Sequence, residues 1–144
     1  MAVTNQIKGA PILSEHMPVR VVERGDGFYV LETEFTAYHL NAAGVVHGGV
    51  IAAFLDCGLA GGGASGVDRG ERKYGVTVSM TVNFVAEART GLHRLEARVI
   101  GGGARTKFVD ARIMDPAGQG PVATATATVK VIDMPGIDRA SGGA

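Results

Sequence analysis

Residues 48–62 read GGVIAAFLDCGLAGG, an apolar run that begins and ends in a pair of glycines. Apolar residues would occupy every side of a helix formed by this run. The sequence therefore predicts a helix from about Gly48 to Gly62 that is buried on all sides. A membrane-spanning segment over residues 42–67 is the alternative. We reject it because His47, Asp56 and the glycines interrupt the stretch, whereas a spanning helix needs about twenty predominantly apolar residues.

Four segments after this helix alternate apolar and polar residues, which predicts strands with one face in the core. The apolar positions of the first are Val76, Val78, Met80, Val82 and Phe84, and those of the last are Ala123, Ala125, Ala127, Val129 and Val131. The other two lie near residues 95–99 and 109–113. Turn residues at 89–91, 101–103 and 115–118 separate the four, which predicts an antiparallel meander. Two further strands are predicted before the helix, near residues 19–24 and 28–35.

The order of these elements predicts an α+β fold in which a curved antiparallel sheet wraps a long central helix. The chain has 144 residues, of which 46% are hydrophobic, enough for one buried core but not for a second comparable domain. We therefore predict a single domain over residues 1–144. Its ordered core is expected over about residues 17–132, with flexible or loosely docked termini on either side.

The charge composition excludes two classes of partner. Fourteen basic and fourteen acidic side chains leave a formal net charge of zero. Nucleic acids and anionic membranes are normally met by clustered Lys and Arg, so neither is expected here. Residues 1–16 lack the apolar run of a secretory signal, and the single cysteine suits a reducing compartment. These features predict a cytoplasmic protein.

Three other candidate motifs receive structural interpretations. Residues 61–66 (GGGASG) match a dinucleotide-binding fingerprint in letters, but that fingerprint opens a helix and this one closes it. Cys57 lies in the middle of the apolar helix, where nothing lowers the pKa of its thiol, so an inert buried thiol is expected. The four histidines lack metal-ligand spacing, and no metal site is predicted.

Asp56 and the start of the helix form the remaining candidate site. A carboxylate in an apolar helix is costly unless it is paired, hydrated or used in chemistry, and a hydrogen-bonded structural carboxylate is the alternative. At the helix start, His47, Gly48 and Gly49 offer free backbone N–H groups and the positive end of the helix dipole. Glycine also admits a ligand carbonyl close to the main chain. This is the geometry of an oxyanion hole.

The spacing of these groups bears on quaternary structure. Nine residues separate His47 from Asp56, which is about 13.5 Å of rise and about 900° of rotation along a helix. The two side chains therefore lie on opposite faces and cannot act on one carbonyl within a single chain. If both serve one site, a second chain must bring its Asp56 to the first chain's Gly48. The hypothesis is a homodimer with two shared sites.

These residues closely resemble the hotdog-fold acyl-CoA thioesterases, in particular the phenylacetate-pathway (PaaI-like) and 4-hydroxybenzoyl-CoA thioesterase branch. The resemblance covers about residues 28–131. It rests on three patterns, which are Asn41-x-x-Gly44-x-x-His47-Gly48-Gly49-x6-Asp56, GVTVSMTVNF at residues 75–84, and GART at residues 103–106. It implies the hotdog fold, with homodimers in which two sheets run continuously and which often join into tetramers.

The resemblance also implies catalytic roles. Asp56 would be the catalytic carboxylate, acting as a general base on water or attacking the thioester directly. The backbone N–H of Gly48 would hold the thioester oxygen, while Asn41 and His47 orient the carbonyl. Thr77 takes the place of a residue that positions the attacking water. The residues also allow structural roles, because Asn41 could cap a turn and Thr77 could be an ordinary strand residue.

Coenzyme A contacts are implied at a second set of residues, namely Phe84, Gly102, Gly103, Ala104, Arg105, Thr106, Lys107 and Lys130. Arg105 and Lys107 suit the phosphates of the nucleotide. The expected function is hydrolysis of an acyl-CoA without a metal or separate cofactor, because coenzyme A belongs to the substrate. Two alternatives remain, a hotdog hydratase or dehydratase that uses His47 as an acid–base group, and a non-catalytic acyl-CoA-binding protein.

Overall fold

The computed structural model describes residues 5–6, 10–65, 73–115 and 117–133. One antiparallel sheet, in the order β1-β2-β3-β5-β6-β7-β4, packs one face against a single long helix, α1. This confirms the predicted α+β hotdog arrangement. The elements are β1 (Asn5–Gln6), a π-helical turn (Ile12–His16), β2 (Val19–Gly25), β3 (Phe28–Phe35), a 3₁₀ turn (Ala37–His39), α1 (Gly48–Ala64), β4 (Lys73–Phe84), β5 (Gly91–Gly102), β6 (Thr106–Met114) and β7 (Pro121–Asp133).

The predicted meander is wrong for its first strand. Strands β5, β6 and β7 follow one another as hairpins, but β4 pairs with β7, and β5 lies beside β3. The segment 85–90 therefore crosses from one part of the sheet to another rather than closing a hairpin. The crossing segment lies beside the start of α1, because the Val46 N–H donates to the Ala88 carbonyl oxygen (2.8 Å). The turn residues were visible in the sequence, but the choice of partner strand was not.

The alternation predicted for β4 is interrupted by a bulge. The register against β7 shifts between Thr77 and Ser79. Thr77 therefore lies opposite the buried Val129, on the face that α1 covers. Val76 and Val78, predicted to face the core, are instead exposed, Val78 by 65%. A one-residue shift in a strand exchanges its two faces, which is why these two of the five apolar positions point away from the core.

The helix is buried on one side only, so the prediction of burial on all sides is wrong for the single chain. Its sheet-facing side carries Phe54, Leu55 and Leu59, all fully buried. Asp56 is exposed on the opposite side of the helix, next to the half-buried Ala53. We call this side of the helix the open stripe of α1. One sheet covers only one side of a helix, and the stripe is left open. No helix within the described ranges is long and apolar enough to cross a membrane.

Glycine allows α1 to lie unusually close to the sheet. A Cβ added at Gly63 would lie 2.7 Å from Val129 Cγ1, and one added at Gly75 on β4 would collide with the Ala60 carbonyl oxygen. Real Cβ atoms do not approach so closely, so both positions require glycine. The contact at Gly75 also fixes where β4 runs along the helix, and this decides the layout of the site.

The sequence predicts loosely docked residues at both ends. Among the described residues of the amino end, β1 pairs with β2, and the turn Ile12–His16 leads into β2. The carboxyl-terminal segment from Pro135 lies outside the described residues. The helix ends at Ala64, within the glycine-rich run, as the sequence predicted.

We expect Gly75→Ala to lower the free energy of unfolding by about 1–3 kcal/mol, because the new methyl group has only backbone to displace. Gly103→Ala is the matched control, since a Cβ at that position meets no atom within 4 Å. Its stability should change by less than about 0.5 kcal/mol. Urea denaturation followed by circular dichroism measures both. Equal stability of the two variants would show that β4 and α1 are farther apart than described.

Candidate active site

Asn41 organises the loop that leads into α1. Its side-chain Oδ1 accepts hydrogen bonds from the Ala43 N–H (2.9 Å) and the Val45 N–H (3.3 Å). Gly44 permits this tight turn with a φ of +78°. The two bonds identify Oδ1 as the acceptor, so the Nδ2 amide is left as a donor. Within the described part of the chain this amide makes no hydrogen bond.

His47 caps the helix and presents a defined ring tautomer. Its Nδ1 accepts a hydrogen bond from the Gly49 N–H (2.9 Å), so in the neutral ring Nε2 carries the proton. The His47 carbonyl oxygen accepts from the N–H groups of Val50 (2.9 Å) and Ile51 (3.1 Å). The imidazole is exposed. His47 therefore offers an Nε2–H donor to a ligand while its other nitrogen holds the helix end.

Gly48 offers a further N–H group, which the hydrogen bonds to His47 do not use. The next three N–H groups of α1 all bond to His47, but among the described residues the Gly48 N–H has no acceptor. It lies at the positive end of the helix dipole. The Phe84 ring lies beside it, 3.4 Å from where a Cβ of Gly48 would be, and is 61% exposed. An unpaired donor thus sits next to an exposed aromatic ring.

Asp56 lies on the open stripe of the same helix, more than two turns away. Its carboxylate is exposed and makes no ion pair or hydrogen bond with any described residue. Eight residues from Gly48 to Asp56 correspond to about 12 Å along the helix axis. A carbonyl group bound at Gly48 is therefore beyond the reach of Asp56 in the same chain.

Thr77 lies at the end of β4 that is farther from Gly48 and nearer to Asp56. Strand β4 runs antiparallel to α1, with Gly75 against Ala60 at one end and Phe84 against Gly48 at the other. Thr77, two residues from Gly75, lies at the Ala60 end. Its Oγ1 is buried without a hydrogen-bond partner among the described residues. The candidate catalytic residues of one chain therefore form two separate groups, one at each end of β4.

The residues implied in coenzyme A binding are also divided. The β5–β6 hairpin carries Gly102, with a φ of +108°, together with Gly103, Ala104, Arg105, Thr106 and Lys107. Thr106 is the cross-strand partner of Lys130, which in turn pairs with Val76 of β4. Phe84 lies eight residues beyond Val76 along β4, about 26 Å away at roughly 3.3 Å per residue. The structure brings the hairpin and Lys130 together and separates Phe84 from both.

Cys57 has the properties of an inert thiol. Burial, and to a smaller extent the neighbouring Asp56 charge, raises its pKa to about 12. Burial also raises the pKa of Tyr29 to about 12, and the ring of this tyrosine packs beside Gly61 on the same helix. A thiol that stays protonated is a poor nucleophile, which supports the interpretation from sequence. No group of three His, Cys, Asp or Glu residues in the described ranges is placed to hold a metal ion.

The sequence reasoning missed His39, which is only 6% exposed and holds the loop before α1. Its Nδ1 accepts from the Thr36 N–H (2.9 Å), its Nε2 donates to the His16 carbonyl oxygen (2.5 Å), and its own carbonyl oxygen accepts from the His47 N–H (2.9 Å). His39 lies in a 3₁₀ turn, outside any periodic pattern. The signal available was Thr36-x-x-His39, which has the spacing of a capping box.

Comparison with known proteins identifies the class of protein. Residues 43–122, more than half of the chain, match the family model of the Thioesterase superfamily, and the chain belongs to this superfamily. A comparison with curated proteins gives no match.

Solved structures share the fold. A thioesterase family protein from Silicibacter pomeroyi has a TM-score of 0.77 at 20% identity, covering 87% of this chain and 91% of that chain. The conserved protein PA5202 from Pseudomonas aeruginosa has a TM-score of 0.75 at 25% identity, with 88% and 95% covered. The protein smu.793 from Streptococcus mutans, bound to acetyl CoA, has a TM-score of 0.68 at 27% identity, with 80% and 89% covered.

We expect Cys57 to resist alkylation in the folded protein. With a pKa near 12 rather than 9.0, its thiolate is roughly 10³-fold scarcer at pH 8 than that of an ordinary thiol. Iodoacetamide labelling followed by mass spectrometry should be at least about 100-fold slower in buffer than in urea, and should accelerate as the pH rises towards 12. Similar rates in the two solvents would contradict the assignment.

Proposed function

We propose that this chain is an acyl-CoA thioesterase that acts as a homodimer and hydrolyses an acyl or aryl-acyl thioester to a carboxylic acid and free coenzyme A. The observation that carries the proposal is the Gly48 N–H at the start of α1, which has no acceptor among the described residues, in a loop-to-helix segment that also carries two further donors, Asn41 Nδ2 and His47 Nε2. Membership of the Thioesterase superfamily supports the reaction class. The acetyl CoA bound to smu.793 supports coenzyme A as the carrier of the acyl group.

The free edge of β4 supports a dimer. This strand is 12 residues long, contains no proline, and pairs only with β7 among the described strands. Tyr74, Val76 and Val78 are exposed along it. A long apolar edge strand invites pairing with another chain, and natural proteins cover such edges. We therefore propose that β4 pairs antiparallel with β4 of a second copy, about a two-fold axis perpendicular to the sheet.

This pairing would join the two separated groups of site residues. Antiparallel pairing puts the Phe84 end of one β4 beside the Gly75 end of its partner. Gly48 of one chain would then approach Thr77 of the partner subunit and Asp56 of the partner subunit. The same geometry carries Phe84 towards the partner's hairpin and Lys130 of the partner subunit. Each dimer would contain two such sites.

The proposed chemistry needs only the side chains and backbone of the two chains. The Asp56 carboxylate takes a proton from a water molecule as the water oxygen attacks the thioester carbon. The carbonyl oxygen becomes an oxyanion, held by the Gly48 N–H and by the oriented donors of His47 and Asn41. When the intermediate collapses, the carbon–sulfur bond breaks and Asp56 returns the proton to the departing sulfur. The reaction therefore uses no metal ion or prosthetic group.

Thr77 has a place in this scheme, because its unpartnered hydroxyl can bind the attacking water. Direct attack by Asp56 on the thioester carbon is the alternative step and would form a mixed anhydride. A single turnover in water labelled with ¹⁸O detects direct attack when water opens the anhydride at the Asp56 carboxyl carbon. Only direct attack transfers an unlabelled Asp56 oxygen to the product acid.

We expect Asp56→Asn to lower kcat for acyl-CoA hydrolysis by about 10²–10⁴-fold, because the amide cannot accept the proton from water. A panel of aliphatic and aryl acyl-CoA substrates should be assayed by release of the free thiol. Since Asp56 is exposed in the chain, the melting temperature of the variant should stay close to that of the original protein. A variant that retains full kcat on every substrate cleaved by the original protein would exclude the assigned role.

The Gly48 N–H can be removed without rebuilding the helix end. Proline is tolerated at the first position of a helix, and the ψ of 134° at His47 suits a residue that precedes proline. Gly48→Ala is the matched control, because it adds a Cβ but keeps the N–H. We expect Gly48→Pro to lose about 10²–10³-fold more kcat than Gly48→Ala. Equal kcat values in two folded variants would show that this N–H does not stabilise the oxyanion.

A further inference from the structure

The loop between β3 and α1 closes on itself just before the helix begins. The His47 N–H donates to the His39 carbonyl oxygen (2.9 Å), which brings the two ends of residues 39–47 together. We call these residues the donor loop, because Asn41 and His47 carry two of the three proposed oxyanion donors. Gly48, which carries the third, follows directly. The position of His39 therefore decides where all three donors lie.

The His39 side chain is built into the protein rather than offered to a ligand. The residue is only 6% exposed, and its ring stands edge-on to Phe35 with 5.7 Å between ring centres. Its Nδ1 accepts from the Thr36 N–H (2.9 Å), and its Nε2 donates to the His16 carbonyl oxygen (2.5 Å). These two bonds require the ring with one proton, carried on Nε2. Both nitrogens are bonded, so the ring has no group left for a substrate.

The two bonds of this ring differ in reach. Thr36 is only three residues from His39 and moves together with the loop, so its bond shapes the turn but does not place it. His16 is 23 residues away, at the end of the turn Ile12–His16. The Nε2–H bond is therefore the one that joins the donor loop to a separate element.

That element is firmly attached to the sheet. Met17, which follows the turn, is 3% exposed in the core, and Thr33 Oγ1 on β3 donates to the Pro18 carbonyl oxygen (2.9 Å). At its other end the donor loop is held by the Val46 N–H, which donates to the Ala88 carbonyl oxygen (2.8 Å). One hydrogen bond leaves a loop free to pivot, whereas two at opposite ends fix its orientation.

We propose that His39 is a positioning residue for the oxyanion donors. Its Nε2–H, bonded to the His16 carbonyl oxygen, holds the donor loop so that the donors of His47 and Gly48 meet the thioester oxygen. The inference rests on the proposed function, because it assigns a role in that reaction. His39 and the turn before β2 both lie outside residues 43–122, the part of the chain that matches the family model. His39 touches no reacting atom and acts through the backbone of the loop.

Two amide side chains separate the two bonds of the ring. The amide of Gln reaches about as far as Nε2 of His, and the amide of Asn about as far as Nδ1, and each can donate or accept. His39→Gln therefore keeps a donor for the His16 carbonyl oxygen. His39→Asn keeps only an acceptor for the Thr36 N–H, and His39→Leu loses both bonds. Val21→Ala is the control for lost stability, because it trims a buried side chain of β2 outside the donor loop.

The first measurement is steady-state hydrolysis of an acyl-CoA that the original chain cleaves. We expect kcat to fall about 10–100-fold in His39→Asn and His39→Leu, because a misplacement of about 1 Å costs up to about 10²-fold. In His39→Gln and Val21→Ala, kcat should stay within about 3-fold of the original. KM should change by less than about 3-fold throughout, because the basic residues implied in phosphate binding lie on the β5–β6 hairpin, which this bond does not hold.

The second measurement is amide hydrogen exchange followed by NMR, which tests the anchor without a substrate. The His47 N–H, which donates to the His39 carbonyl oxygen, should exchange at least about 10-fold faster in His39→Asn than in His39→Gln. The amides of β6 should exchange equally in both variants. A merely destabilised fold would accelerate both sets of amides together.

Circular dichroism checks that each variant is folded. Equal kcat and equal exchange in His39→Asn and His39→Gln would overturn the inference, and so would a folded His39→Leu with the original kcat. Faster exchange without a loss of kcat would also overturn it, because the loop would then be anchored without positioning the donors. An original chain that cleaves no acyl-CoA would overturn the proposed function and the role of His39 in it, while the exchange rates would still decide whether His39 anchors the loop.

Discussion

The length of helix α1 constrains everything else in the site. A helix is rigid at 1.5 Å per residue, so Gly48 and Asp56 stay about 12 Å apart along its axis however the loops move. Neither group is useful alone, because an oxyanion donor needs a nucleophile within bonding distance of the same carbon. The fixed spacing therefore makes a shared site the simplest use of both groups. The exposed edge of β4 offers the place to share it.

Close packing between glycine residues and the sheet sets that edge. Gly75 lets β4 touch the helix backbone at Ala60, and Phe84 meets the helix again at Gly48. A strand held at both ends runs alongside the helix, antiparallel to it, and presents one free edge along its length. In this way, packing at two glycines positions the two groups of candidate residues and the strand proposed to join them.

Local patterns in the sequence predict local structure well here. The strand predicted near residues 28–35 has the observed bounds of β3, and the glycine pairs place the start of α1. The pairing of β4 with β7 is not local. Whether β4 lies beside β5, as predicted, or beside β7, as observed, depends on how all the strands are arranged in the sheet. The bulge at Val78 adds one residue that leaves no mark on an alternating pattern. The open stripe of α1 was missed because an apolar helix gives no sign of whether its own chain or another covers it.

The candidate site also combines residues that the sequence indicates with residues whose role is seen only in the structure. His47, Gly48 and Asp56 were predicted from the start of the helix and from the cost of a carboxylate in an apolar helix, and Asn41 from the resemblance; their roles stay predictions. His39 was missed because its function is to bond three backbone groups in an irregular loop, and such bonds have no sequence period. Asp110, whose buried Oδ1 has no hydrogen-bond partner among the described residues, was missed because a charge at a solvent-facing position is ordinary until its partners are known. Residue types indicate which chemistry a site can perform, whereas only the structure shows which polar groups form hydrogen bonds.

The sharing of one site by two chains is tested most directly by mixing inactive variants. Asp56→Asn chains and Gly48→Pro chains should be unfolded together and refolded as an equal mixture. Random pairing makes half of the dimers mixed, and each mixed dimer has one intact site, so the account expects about one quarter of the original activity to return. A mixture no more active than the two variants refolded separately would contradict it.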